Sequence, residues 1–414
     1  MRILFTKRGY SPVGGSESLC YQFATRLAAR GHDVRVVCTW PGAPLGESGV
    51  PPGESTERET NGYRAELFAI RAEDDHRIFT DKGVEVVQIR PRGGLLGMAA
   101  DATTLVDLMR GDLLARYAED RDLIHNVGRE YLDSSLEVAD ALGVPVVLTP
   151  LAHPGQFHGG DAPSDFARYR RAAALTTMTD WERDWYLARG IDDSRVVVTG
   201  MGPNTQRVGG GDAFRRRHGI PADAPIVLYI GRKERYKGYI QLLDAAETVW
   251  ARYPDTRFVF IGIQGFYSTF FDDFARYHDE RIVDIEGATD AVKDAALDAC
   301  TVFAMPSRHE TFGLGYLEAW LHGKAVIGCD IPPLREIIGQ REAGILVPQR
   351  PADLASAVIE LLDDPAARDR MGRTGRERVL SRWDWESVID RVEAAHTIAT
   401  RSAVPAGMDE AALA

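Results

Sequence analysis

Two glutamates, Glu310 and Glu318, stand eight positions apart in the segment 306–322 (PSRHETFGLGYLEAWLH), on either side of a glycine-containing turn. The apolar run 301–305 (TVFAM) reads as a buried parallel strand, and 315–322 reads as a helix carrying Leu317, Trp320 and Leu321. A loop that joins a strand to a helix presents backbone N–H groups at the positive end of the helix dipole, where a phosphate is favoured. Thr311, Phe312, Gly313 and Leu314 are the predicted donors, with Gly313 allowing close backbone approach. Glu310 can accept hydrogen bonds from sugar hydroxyls, and Glu318, about two turns further on, can take the two hydroxyls of a ribose. A phosphate cradle between two carboxylates points to a nucleotide-sugar site. Alone, the two acids would read as solvated residues complementing the helix dipole, so neighbouring segments decide.

The deciding segment is 225–238 (PIVLYIGRKERYKG), an apolar strand that runs into Gly231 and a basic loop. Arg232 and Lys237 are expected to face one anion. A guanidinium engages phosphate oxygens through two N–H groups and an ammonium adds a mobile point charge, which suits a diphosphate. A basic loop by itself would be an exposed turn of little energetic worth, and the repetition of strand, glycine and loop is what strengthens both. At the amino-terminal end, Gly14 and Gly15 in 11–17 (SPVGGSE) precede a predicted helix. They could let the backbone approach a diphosphate or a departing sugar, or be an ordinary loop pair with Ser16 capping the helix.

The elements that would position these residues alternate between strand and helix, the pattern that builds parallel sheets covered on both faces. The first half predicts strands at 3–6, 34–38, 84–89, 123–125, 144–149 and 196–199, and a helix over 16–30 ended by Gly31. The second half predicts strands near 227–230, 258–261, 283–285, 302–305 and 325–328. Residues 41–61 are rich in Pro, Gly, Ser and Glu and read as a long, mobile exposed loop. The glycine-rich stretch 200–211 (GMGPNTQRVGGG) is the expected connector. The fold class is therefore α/β, with two doubly wound, Rossmann-like domains predicted over 1–205 and 206–385. Ligands of such sheets bind beyond the carboxyl ends of the strands, which directs attention to the loops after the first strand, after Ile230 and after Met305.

With 414 residues the chain is too long for one core, and 44% hydrophobic with 27% charged residues is the composition of a soluble globular protein. The net charge of −12 divides evenly on either side of residue 205, which disfavours nucleic acid and anionic membranes as partners. Cys20, Cys38, Cys300 and Cys329 lie in or beside apolar segments and read as reduced core thiols. Residues 1–6 (MRILFT) read as a first strand rather than a signal peptide, and no run reaches transmembrane length, so a cytoplasmic protein is expected. Neither a D-x-D pair at a suitable strand end nor a His or Cys cluster with ligand spacing is present, and metal independence is expected.

These motifs together resemble the retaining glycosyltransferases of family 4, whose GT-B fold sets two Rossmann-like domains facing an interdomain cleft. The likeness rests on Gly231-Arg232 with Lys237-Gly238, on Glu310 to Glu318, and on the Gly14-Gly15 pair. It extends to 258–265 (FVFIGIQG), 332–338 (PPLREII) and 343–348 (AGILVP), and is faintest between about 40 and 120. It implies transfer from a nucleotide diphosphate sugar, UDP-sugar foremost and GDP-sugar next, to a hydroxyl acceptor with the anomeric configuration kept and no further cofactor. It implies that Arg232, Lys237 and the amides near Gly313 stabilise the leaving diphosphate, that Glu310 holds the sugar, and that His153 contacts the transferred sugar. Gly262 and Gly287 fall where the family turns backbone groups toward base and ribose, although both also read as plain strand-end turns. His125 and His158 are acceptor-side candidates, although His125 reads more readily as a structural strand-end residue. In the family a final helix crosses back to the first domain; 383–398 is the candidate helix, 386–414 the segment assigned to that crossing and its tail, and the tail from Arg401 is expected to be disordered. Only Arg110 and Arg116 are basic in 93–119, which favours a soluble small-molecule acceptor. An epimerase or hydrolase on the same scaffold, or a non-enzymatic sugar-nucleotide binder, are the competing readings.

Overall fold

The computed structural model describes residues 1–12, 14–39, 76–89, 109–156, 159–205, 209–263, 274 and 277–402. The predicted loop 41–61, His158 and residues 403–414 of the predicted tail lie outside the described residues. The chain divides into two compact units, Met1–Thr199 together with residues from Val388 onward, and Gly200–Ser387.

Among the described residues the first unit carries eight strands: β1 Arg2–Lys7, β2 Asp33–Thr39, β3 His76–Asp81, β4 Val84–Ile89, β5 Leu123–Val127, β6 Val146–Thr149, β7 Ala174–Thr177 and β8 Val196–Val198. Their spatial order is β3-β4-β2-β1-β5-β6-β7-β8. β1 and β5 are buried on both faces, the signature of central parallel strands, and they pair in register from Ile3 opposite Leu123 to Thr6 opposite Asn126. Strands earlier in the chain lie on one side of β1 and later ones on the other, so the winding reverses between β1 and β5.

The second unit carries β9 Ile226–Ile230, β10 Arg257–Ile261, β11 Ile282–Ile285, β12 Val302–Met305, β13 Ala325–Cys329 and β14 Gly344–Val347, in the order β11-β10-β9-β12-β13-β14. Every pair in it is parallel. Here the winding reverses between β9 and β12, and in open α/β sheets ligands bind outside the carboxyl ends of the strands at such a point.

Three strands go beyond the sequence expectation, β3, β7 and β14. β3 pairs antiparallel with β4 through the turn Lys82–Gly83, where φ is 47° and 81°, the left-handed pair that two-residue hairpins use. Part of the stretch 40–120, where the family likeness is faintest, is therefore an edge hairpin. β7 (ALTT) is short and half polar, and its Thr176 hydroxyl finds that of Thr149 at 2.5 Å inside the sheet.

The helix Trp385–Ser402 buries Val388, Ile389, Val392, Ala395, His396 and Ala399, one face of a 3.6-residue period. Arg401 and Ser402 continue this helix, where a disordered tail was expected. His32 and Arg30 contact its Glu393 at 2.8 and 2.7 Å. His396 meets His125 of β5 at 2.9 Å, and His125 in turn meets the Thr149 hydroxyl at 2.8 Å. Burial, with His396 adding to it for His125, holds both rings below their usual value of 6.5, His396 at about 3. Both are neutral when folded. As pH falls below 6.5 the unfolded chain takes up protons that the folded chain refuses, so stability present above 6.5 is lost progressively toward about 3. Urea titrations near pH 7 and near pH 5 should show that loss. His396→Leu should flatten part of it while costing about 1–3 kcal/mol for the orphaned His125 nitrogen.

Candidate active site

In the second unit the loops after β9 and β12 are stitched together by their backbones. The Arg308 N–H donates to the Tyr236 carbonyl at 2.9 Å. The Gln349 side-chain amide donates to the carbonyls of Tyr236 at 2.8 Å and Pro306 at 2.6 Å. The β9 loop is also tied to β10, through Gly231 N–H to Ile261 at 3.0 Å and Lys233 N–H to Ile263 at 2.9 Å. A side chain at Gly262 would begin 1.9 Å from the Gly231 carbonyl oxygen, so two of the predicted glycines meet backbone to backbone and neither loop can shift alone.

This framework brings Lys237 to Glu310, whose ammonium and carboxylate form a hydrogen-bonded ion pair with both side chains largely buried. The Lys237 ammonium also lies 5.3 Å from the centre of the Tyr236 ring, and exposed Arg232 reaches the Tyr236 hydroxyl at 3.3 Å. Two cations thus meet one tyrosine, Lys237 at its ring and Arg232 at its hydroxyl, and Glu310 pairs the first of them. The His309 ring stands edge-on to the same tyrosine at 6.0 Å and so packs.

Beyond Glu310 the chain enters the helix Leu314–Leu321 through Gly313, which caps it in the left-handed conformation at φ 87°, a position open to glycine at no steric cost. Phe312 is buried with its ring edge-on to Trp383 at 5.3 Å, so its backbone alone is available as a donor. Glu318 sits inside the helix and is almost wholly buried, with Lys293 at 2.9 Å. Burial pushes the Glu318 carboxyl above its usual value, and Lys293 opposes this. Burial also works against the Lys293 charge, but Glu318 and Asp290, at 3.3 Å, more than offset it and hold the ammonium above its usual value. Gly287 follows β11, two strands from β9, and is exposed at φ 71°.

Two contributors escaped the sequence. Lys293 lies on the helix Asp290–Ala299, a surface lysine by pattern. Lys233 lies in the basic loop but is fully buried, paired with Asp284 of β11 and 5.2 Å from the Phe274 ring. The spacing of the basic loop was visible; which of its lysines turns inward was not.

The first-unit candidates divide. Gly14 and Gly15 are exposed at the start of the helix Ser16–Ala29, and Gly15, not Ser16, occupies the cap position without a side-chain cap. His153 is half-buried in a tight loop after β6, closed by its N–H on the Gly159 carbonyl at 2.7 Å. Leu151, two residues before it, has φ 52°, a conformation that costs a branched side chain energy and that clusters at functional sites. His125 is a correction: it is fully buried, stacked on Phe5 at 4.9 Å and bonded to His396 and Thr149, so no acceptor reaches it.

Two parallel-sheet units with chemistry-bearing loops at their carboxyl ends define the GT-B architecture. Residues 14–202 match a glycosyl transferase 4-like domain and residues 211–378 match the glycosyl transferases group 1 family. The chain belongs to these glycosyltransferases. The glycogen synthase of Mycobacterium tuberculosis (strain CDC 1551 / Oshkosh) is 28% identical over 409 residues, 94% of this chain and 92% of that protein. Sucrose-phosphate synthase from Thermosynechococcus elongatus shares the fold with a TM-score of 0.74 at 20% identity, over 96% of this chain and 98% of that one. Anabaena Alr3699/HepE, in complex with UDP and glucose, does so with 0.72 at 19%, over 96% and 99%.

Lys293→Met should leave Glu318 as an unpaired buried carboxylate, destabilising the chain by about 3–5 kcal/mol near neutral pH. The loss should shrink as pH falls through the raised Glu318 value, because a protonated carboxyl needs no counter-charge. Lys293→Arg should retain most of the stability; denaturation of the three proteins near pH 8 and near pH 5 checks this.

Proposed function

We propose that the chain moves a glycosyl group from a nucleotide diphosphate sugar, UDP-sugar foremost and GDP-sugar next, to a hydroxyl of a soluble small molecule, keeping the anomeric configuration and needing no metal ion. The observation that carries this reading is the Lys237–Glu310 pair, held between two stitched loops at the winding reversal of the second sheet and followed at once by a helix N-terminus. In the reaction the bond between the anomeric carbon and the diphosphate oxygen breaks and one to the acceptor oxygen forms. Negative charge builds on the departing diphosphate. Lys237, Arg232 and the amides from Thr311 to Leu314 supply fixed positive ends for that charge, an effect that is strongest where water is excluded. By resemblance, a donor phosphate oxygen takes the acceptor proton, so the protein provides no general base.

Glu310 would bind the sugar hydroxyls and Glu318 the ribose, while His153 is assigned to the transferred sugar. Lys237 and Arg232 can neutralise a diphosphate in the place of a metal ion, which supports metal independence. UDP as first choice accords with the UDP bound by the Anabaena structure. A soluble acceptor accords with Arg110 being paired to Asp112 at 2.8 Å rather than offered to a lipid surface. No helix among the described residues is long and apolar enough to cross a membrane. The four cysteines are buried free thiols, which accords with a reducing, cytoplasmic setting.

Calorimetry with UDP, GDP, ADP and dTDP, with and without EDTA, tests the donor site. One diphosphate should bind equally in EDTA and lose about ten- to a hundred-fold in affinity in Glu318→Ala, as for a lost hydrogen bond to a charged group. Proton NMR of the product should show the donor's anomeric configuration. Binding of no diphosphate would remove the assignment, hydrolysis or epimerisation without transfer would favour the sugar-nucleotide enzymes, and binding without turnover a sensor.

A further inference from the structure

The first sheet has its own winding reversal, between β1 and β5, and charged groups gather there that the donor chemistry does not use. Lys7, the last residue of β1, is fully buried, with its ammonium 2.9 Å from Glu130 in the turn after β5. The Glu130 side chain remains 13% exposed. Next to it Arg8 faces Glu17 at 3.8 Å, and the Glu17 side chain is 26% exposed. Glu17 opens the helix that follows Gly14 and Gly15.

The turn that carries Glu130 is fixed from below. Asn126 donates from its amide to the Gly128 carbonyl at 2.7 Å, and its side-chain oxygen accepts from Thr6 at 2.7 Å and Ser135 at 2.9 Å. Gly128 N–H donates to the Thr149 carbonyl at 2.8 Å. A side chain on Gly128 would begin 2.1 Å from a Glu130 oxygen and 2.9 Å from the Lys7 ammonium, so the absence of one leaves room for the pair. The Glu130 carboxylate is held at a set place and angle without any ligand.

A buried ion pair at the ends of the central strands is a poor source of stability, because apolar residues of similar volume do as well or better. Local rules are expected to break at functional or strained sites, and the carboxyl ends of strands at a winding reversal are where ligands bind. We propose that Glu130 and Glu17, at the carboxyl ends of β1 and β5, bind the hydroxyl groups of an uncharged, polyhydroxylated acceptor, with Lys7 as the residue that positions Glu130. The inference rests on the glycosyltransferase reading and names its acceptor class.

The chemistry favours a neutral polyol over other ligands. An ionised carboxylate only accepts hydrogen bonds, so the ligand must donate, and vicinal hydroxyls do so at the spacing of carboxylate oxygens. Lys7 holds Glu130 and Glu17, and Arg8 assists, below the usual carboxylate range against the effect of burial, Glu130 at about 2. Both therefore stay charged across the physiological range. Lys7 and Arg8 are matched one for one by Glu130 and Glu17, so a phosphorylated acceptor would meet a cluster with no surplus of positive charge, unlike the donor site, where Arg232 adds a second cation beside the Lys237–Glu310 pair. Cationic acceptors gain little from a cluster of two acids and two bases.

The test follows nucleoside diphosphate release from the donor identified by calorimetry, against a panel of neutral mono- and disaccharides, with glucose 6-phosphate and glucosamine as charged counterparts. Neutral sugars should be the acceptors. Glu17→Gln should raise the acceptor KM about ten- to a hundred-fold while leaving kcat and diphosphate affinity unchanged. Glu130→Gln should do the same if it folds, and Glu17, partly exposed, keeps the test decisive if it does not. Preference for glucose 6-phosphate or glucosamine, or an unchanged acceptor KM in Glu17→Gln, overturns the proposal. If wild type binds diphosphate but transfers to nothing, the glycosyltransferase reading fails separately. The site is then judged by a saturable thermal shift with the neutral panel that Glu17→Gln abolishes, and no such shift overturns it.

Discussion

A charge withdrawn from water has to be met by its opposite, and the working parts of this chain are arranged around that requirement. Lys7 with Glu130, Lys233 with Asp284, Lys237 with Glu310 and Lys293 with Glu318 each join a largely buried ammonium to a carboxylate on another element. Such pairs contribute little net stability, since desolvation consumes most of the Coulombic gain. What they contribute is position. Each lysine is long enough to reach across from one loop or helix to the next, and each carboxylate so held can be aimed.

The sheets dictate where this aiming happens. Where winding reverses, the crossover connections leave in opposite directions and the strand ends between them stay uncovered. β9 with β12 and β1 with β5 are the two such places, and both hold a lysine–glutamate pair. In the second unit the loops are further locked by Gln349, whose single amide holds two carbonyls from different loops. Rigidity of this sort lets charge develop on a ligand without the protein having to reorganise.

How much of this could be read in advance follows from the range over which each signal acts. Parallel strands buried on both faces appear as unbroken apolar runs, so β9, β10, β12 and β13 were legible, and with them the loops bearing Arg232, Lys237 and Glu310 and the helix bearing Glu318. β7, with two threonines in four residues, has no such run and depends on Thr149 across the sheet. Lys293 and Glu318 are 25 positions apart, and nothing local to either announces the other. His125 stands in the apolar sequence of β5, which was a cue to burial, but its partner is 271 positions away. Position after a strand suggested an acceptor contact for this histidine, and tertiary packing decided otherwise.

The late placement of that partner carries a consequence for how the molecule is made. Chains leave the ribosome from the amino end and fold by units as they emerge. The first unit, however, draws its last helical face, Val388 to Ala399, from beyond the whole of the second. Until that helix appears, His125 lacks its imidazole neighbour, Arg30 and His32 lack Glu393, and the apolar surface they border stays wet. The amino-terminal half is therefore synthesised first yet completed last, its core closed only when the final helix has emerged.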